Sequence, residues 1–150
     1  MGDRLSIVVP CALRCRDAVG ALIQQVCQRL EANGARAGTG YQVLSAFNEA
    51  FNNLAKHAYP AGEGEVEIEL QILPDRLVLE LRDSGEPFDF GEVEQPDLDA
   101  LPERGLGVYI IRSFMNEVDY RTAGDHNVLR MVRHLSASGD PPAQGTTEDA

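Results

Sequence analysis

No stretch of this chain is apolar for long enough to cross a membrane. The early run "SIVV" is also too short for the core of a secretory leader. Basic residues are scarce: 13 Lys and Arg stand against 24 Asp and Glu, a net charge of -11 at pH 7. Such a surface is unsuited to neutralising a phosphate backbone or an anionic bilayer, which argues against a nucleic-acid or membrane partner. A bound nucleotide stays open, because a few local donors and a metal ion can outweigh the global field. Cysteine is rare. Cys11, Cys15 and Cys27 are too few, and odd in number, for a disulfide framework. Cys11 and Cys15 read either as a redox pair or as small buried hydrophobes, and Cys27 lies on the apolar stripe of a helix. A reducing, cytoplasmic location is expected. The histidines and cysteines show no metal-ligand spacing. "MGDRLS" formally fits a myristoylation pattern, but the same residues lead into a first strand.

What is present is enough apolar material for one core, 43% of 150 residues. Leu5 to Val9 reads as a short strand ended by Pro10. Val19, Leu22, Ile23, Val26, Cys27 and Leu30 recur at helical spacing from Asp17 to Ala32, closed by Asn33-Gly34. A second helix opens at Thr39 with Gln42 three residues on, a capping-box pattern. It runs to about Ala58, before Pro60. The period then changes to two. Val66, Ile68, Leu70 and Ile72 alternate with Glu65, Glu67, Glu69 and Gln71, and after a turn at Pro74-Asp75 Leu77, Leu79 and Leu81 repeat the pattern. Ser84 to Arg104, with Pro87, Pro96 and Pro102, lacks a period and reads as a functional lid or an insert. A third helix runs from about Gly105 to Asn116. Val118 to Arg121 and Asn127 to Leu135 form a final hairpin. Residues 136–150 are polar and acidic and read as a disordered tail after a domain of 1–135. Three amphipathic helices and a sheet with one wet face predict an α/β two-layer sandwich, its helices packed on one face of a mostly antiparallel mixed sheet.

The stretch "NEAFNNLAKHAYP" sits on the second helix. At about 100° per residue, Val43, Phe47, Ala50, Phe51, Leu54 and Ala58 share one stripe, while Glu49, Asn53 and Lys56 share the opposite side. Asn52 and His57 flank them. Asparagine is a poor helix former because its amide competes with the backbone, so adjacent Asn52 and Asn53 need a reason that a solvated face does not supply. Two further stretches bear on it. In "LRDSGEPFDF", Asp83 ends a strand before Gly85; a desolvated carboxylate there accepts a hydrogen bond from an exocyclic amine and repels a carbonyl oxygen. In "PERGLGVYIIRSFM", Gly105-Leu106-Gly107 opens a helix whose free N–H groups suit phosphate, with Arg104 beside it. Singly, each reads as an ordinary face, turn or helix start.

Together, in this order, the three stretches resemble the GHKL (Bergerat-fold) ATPases, and within them the anti-sigma factor serine/threonine kinases. "EAFNNLAKHAYP" is similar to the family's N-box, "RDSGEPFDF" to its G1 box and "ERGLGVYIIRSFMNEVDY" to its G2 box. The resemblance spans about Leu5 to Leu135. It implies ATP and Mg²⁺ as cofactors, with Glu49 as general base and Asn53 as metal ligand. Lys56 and His57 would lie near the nucleotide and Asp83 would bind adenine, with Gly85 making room. Gly105, Leu106 and Gly107 would admit the phosphates, and Arg104 would act on the γ-phosphate. Phe88 and Phe90 would pack on the site or anchor the lid. The implied partners are a sigma factor, a STAS-domain anti-anti-sigma factor as phosphate acceptor, and a second copy in a homodimer. The final strand departs from the pattern: many relatives carry a threonine that helps fix an adenine-binding water, where "HNVLRMVRHL" has none and Asn127 is the substitute. Two other readings remain. One is a module that binds ATP and trades partners without phosphoryl transfer. The other is the ATPase half of a histidine kinase, against which stand the missing upstream phosphoacceptor helices and the place of His126 and His134 in the last hairpin.

Overall fold

A computed structural model describes residues 2–60, 64–88 and 106–136. The chain order is β1 (Asp3–Pro10), α1 (Leu13–Ala32), α2 (Thr39–Asn53), a single π-helical turn (Leu54–Ala58), β2 (Glu65–Ile72), β3 (Arg76–Asp83), α3 (Leu106–Phe114), β4 (Glu117–Ala123) and β5 (His126–His134). The strands form one five-stranded sheet in the order β1-β2-β3-β5-β4. All four ladders are antiparallel, so the sheet is not mixed among the described residues. The tail beyond Ser136 lies outside the described residues.

The alternation read in β2 and β3 sets the two faces. Val66, Ile68 and Leu70 of β2 and Leu77, Leu79 and Leu81 of β3 are buried. They meet Val19, Ile23 and Cys27 of α1, Val43, Phe47 and Phe51 of α2, and Val108 and Ile111 of α3 in one core. Phe47 and Phe51 are fully covered, with ring centroids 5.8 Å apart, and removing either ring should cost about 3–5 kcal/mol. On the other face the β2 glutamates do not stand alone in water. Arg4 pairs with Glu69 at 2.6 Å and Arg82 with Glu67 and Glu80 at 3.2 and 3.3 Å, while Arg130 reaches Glu80 at 3.8 Å. Each exposed pair contributes little alone, but Arg82 stands opposite Glu67 and Arg130 opposite Glu80, and where Glu69 and Glu80 face each other across β2 and β3 the guanidinium groups of Arg4, Arg82 and Arg130 offset their repulsion.

Two local expectations change. Thr39 does not cap α2: the cap is Gly38, in the left-handed region at φ 93°, where only glycine sits without strain. The Thr39 hydroxyl instead donates to the Arg36 carbonyl at 2.6 Å. The end of α2 also loosens into the π-turn, where the Tyr59 amide donates back to Leu54 at 3.3 Å. At the far end of α3 the fully buried Arg133 donates Nη1 to the Phe114 carbonyl at 3.1 Å, placing a cation where the helix dipole is negative.

Candidate functional site

The core packing turns the polar side of α2 toward the end of β3 and the start of α3. A cavity lies there, lined by Ala50, Asn53, Leu54, Ala58, Asp83, Glu86, Phe88, Tyr120 and Leu129. It therefore brings together Asn53 and Asp83, which the sequence separates by thirty residues, over an apolar floor.

Asp83 is 3% exposed. A carboxylate this buried needs donors, and two converge on its Oδ2: the Gly85 amide at 2.9 Å and Asn127 Nδ2 at 3.0 Å. Its Oδ1 accepts no hydrogen bond from a described residue. Asn127 Nδ2 also donates to the Gly85 carbonyl at 2.9 Å. The turn is braced from outside as well. The Ser84 amide donates to the Tyr59 hydroxyl at 3.0 Å, and that hydroxyl donates to the Glu65 carbonyl at 2.8 Å. Gly85 allows a close approach within the protein: a Cβ there would collide with the Ala58 carbonyl at the end of the π-turn. That carbonyl accepts from the Glu86 amide at 3.1 Å.

Neither end of the Asn53 amide hydrogen-bonds to a described residue, and Nδ2 is fully buried. An orphaned polar end in a cavity is costly unless a ligand satisfies it. Its neighbour behaves differently: Asn52 Oδ1 accepts from Arg16 Nη1 at 2.8 Å, tying α1 to α2. Glu49, one turn before Asn53, is half-buried against the start of α3. A Cβ on Gly107 would lie 2.7 Å from Glu49 Oε1, so glycine is what lets the carboxylate and the helix start share this space. Leu106 is exposed at the helix start. Lys56 is exposed. His57 stacks on Phe88 with centroids 4.6 Å apart, and the Phe88 amide donates to the Tyr120 hydroxyl at 2.9 Å. Arg104, Gly105, Phe90 and most of the expected lid lie outside the described residues.

The described residues contain no group of three or more His, Cys, Asp or Glu able to hold a metal. Mg²⁺ that arrives with phosphates needs only one or two protein ligands, and Asn53 fits that limited role through its amide oxygen. Burial, with the Asp83 charge adding to it, keeps the neighbouring Cys11, Tyr59 and Tyr120 protonated. Burial pushes the Cys11 thiol up to about 11, helped by Asp83 and then Cys15. Burial likewise raises the Tyr59 and Tyr120 hydroxyls, Asp83 adding to both, while the amides of Ser84 and Phe88 pull the other way. All three cysteines are free, and a thiol held at about 11 is a poor nucleophile near neutrality.

Asn127, Tyr59 and Tyr120 are site-building residues whose bracing bonds do not follow from local sequence. The signal for Asn127 was the missing threonine; the two tyrosines gave none.

Residues 13–133 match the family model described as the histidine kinase-like ATPase domain. The chain is 31% identical over 134 residues to the serine-protein kinase RsbW of Bacillus velezensis, covering 79% of this chain and 82% of that one. It is 33% identical over 116 residues to the serine-protein kinase RsbW of Staphylococcus epidermidis, covering 67% and 72%. The histidine kinase domain of a blue-light activated histidine kinase from Erythrobacter litoralis superposes with a TM-score of 0.52 at 16% identity, over 77% of this chain and 60% of that one.

Proposed function

The chain belongs to the histidine kinase-like ATPase domain family, and within it to the RsbW-type serine-protein kinases, and on that premise we propose that it transfers the γ-phosphate of Mg-ATP to a serine or threonine of a partner protein. By the same resemblance the acceptor is a STAS-domain anti-anti-sigma factor, and the protein binds a sigma factor when the acceptor is absent. The acidic surface, net -11, complements a basic sigma-factor face.

The observation that supports this most is the meeting of Asn53 and Asp83 in one cavity, with the Glu49 carboxylate one helical turn before Asn53 and against Gly107. In this reading Asp83 Oδ1 accepts from the adenine amino group. The first-turn N–H groups of α3 at Leu106 and Gly107 face the phosphates, where the positive end of the helix favours anions. Arg104 would hold the transferring phosphate. Glu49 accepts the proton of the attacking hydroxyl as the new P–O bond forms and ADP departs, so catalysis is chiefly positioning and charge neutralisation. A Mg²⁺ ion held by Asn53 would neutralise phosphate charge.

Incubating the protein with Mg-ATP and its cognate STAS protein tests the reading. Phosphate should appear on a serine or threonine of the partner and fall by roughly 10²- to 10⁴-fold with Glu49→Ala, while ATP binding persists. Tight ATP binding with no transfer in the wild type would leave instead a partner-switching module that uses ATP only as a ligand.

A further inference from the structure

Asp83 and Asn127 face each other directly across the β3–β5 ladder. Asn127 is 2% exposed and stands behind the carboxylate rather than in the cavity wall. Its Nδ2 has two hydrogens and both are used, on Asp83 Oδ2 at 3.0 Å and on the Gly85 carbonyl at 2.9 Å. Both partners are acceptors, so the amide has only one workable orientation. One side chain thus ties both ends of the Asp83-Ser84-Gly85 turn to the last strand. A threonine hydroxyl, with a single hydrogen, holds one end only.

We propose that Asn127 is a positioning residue for base recognition: by clipping the turn it fixes Asp83 so that a single, unshared carboxylate oxygen meets the ligand, which selects a 6-aminopurine over a 6-oxopurine. The inference rests on the nucleotide reading above. A 6-amino group donates to Asp83 Oδ1. A 6-oxo group would set acceptor against acceptor in a buried site, and a site built this way discriminates strongly because the mismatched polar atoms stay unpaired. That discrimination requires a carboxylate that does not turn. Without Asn127 its Oδ2 keeps only the local Gly85 amide, and the Gly85 carbonyl loses its partner. The carboxylate can then rotate or take up water and accommodate either base.

The test is equilibrium binding of ATP and GTP, each with Mg²⁺, to the full chain as wild type, Asn127→Ala and Asn127→Thr, with thermal melting of each unliganded protein as a check of folding. The wild type should prefer ATP. Asn127→Ala should weaken ATP roughly tenfold or more while GTP changes little, since a charge-assisted hydrogen bond is the interaction removed. Asn127→Thr should give a preference between the two. An ATP-to-GTP ratio equal to that of the wild type in Asn127→Ala overturns the proposal, even if both affinities fall together, because uniform loss is what a merely structural residue would give. Should Asn127→Ala fail to fold, an unchanged ratio in Asn127→Thr overturns it equally. A wild type that binds both nucleotides alike overturns the proposal and leaves the nucleotide reading standing; one that binds neither removes both.

Discussion

Asn52 and Asn53 are adjacent, and they answer the same sequence puzzle in two ways. Asn52 spends its oxygen on Arg16 and joins two helices, whereas Asn53 turns an unsatisfied amide into the cavity. Asn52→Ala should therefore cost about 1 kcal/mol of stability in urea denaturation, with ATP affinity unchanged. Asn53→Ala should do the reverse, leaving the melting temperature of the unliganded protein near wild type and removing its rise with Mg-ATP. Gly107 is a further case. Gly107→Ala would push a methyl group into Glu49 and should lower phosphoryl transfer more than ATP affinity in a phosphorylation assay. That Glu49 and Asn53 share one side of α2, that Asp83 ends β3 and that Gly107 lies at the start of α3 was legible in the sequence, because helical and strand spacing are local properties. What Asn52 touches was not, since its partner comes from another helix at a place that only packing decides.

At the scale of elements, period-two and period-3.6 patterns located every described strand and helix to within a few residues. They failed where one residue changes the geometry. The π-turn from Leu54 to Ala58 leaves Ala58 buried, as a continued α-helix would, so the apolar pattern does not distinguish them. Yet the wider turn delivers the Ala58 carbonyl to Gly85 and Glu86 and closes one side of the cavity, and such turns recur at functional sites. The capping box at Thr39 failed for a related reason: a left-handed Gly38 already sets the entry of α2, and a glycine's φ is not written in its neighbours. Gly85→Ala puts a Cβ into the Ala58 carbonyl. It should destabilise the fold by about 1–3 kcal/mol and lower ATP affinity, both measurable by denaturation with and without nucleotide.

For the whole molecule, the two-layer arrangement followed from pattern, but the neighbour order of the strands did not, since β3 pairs with β5 across the intervening helix and β4. Mg-ATP at a hundredfold excess over its dissociation constant should stabilise the fold by about 2.7 kcal/mol, read as a raised melting temperature; no rise at millimolar Mg-ATP would remove the nucleotide reading. Alkali should act in the opposite direction. Burial raises Cys11 from 9.0 to about 11 and Cys27 from 9.0 to about 12. The folded state keeps protons that the unfolded chain has released, so this stability is whole below pH 9 and is lost as pH climbs through that window. Denaturation midpoints should fall from pH 9 upward, and less steeply in Cys11→Ala. The Asp83–Asn127 clip, finally, joins positions 44 residues apart. Closing so long a loop is entropically expensive and slow to be repaid. During synthesis β3 leaves the ribosome well before β5, so a nascent chain holds the Asp83 carboxylate without its Asn127 partner until the last strand zips into the sheet. If Asp83 reads the base as proposed, nucleotide capture would report that folding is finished.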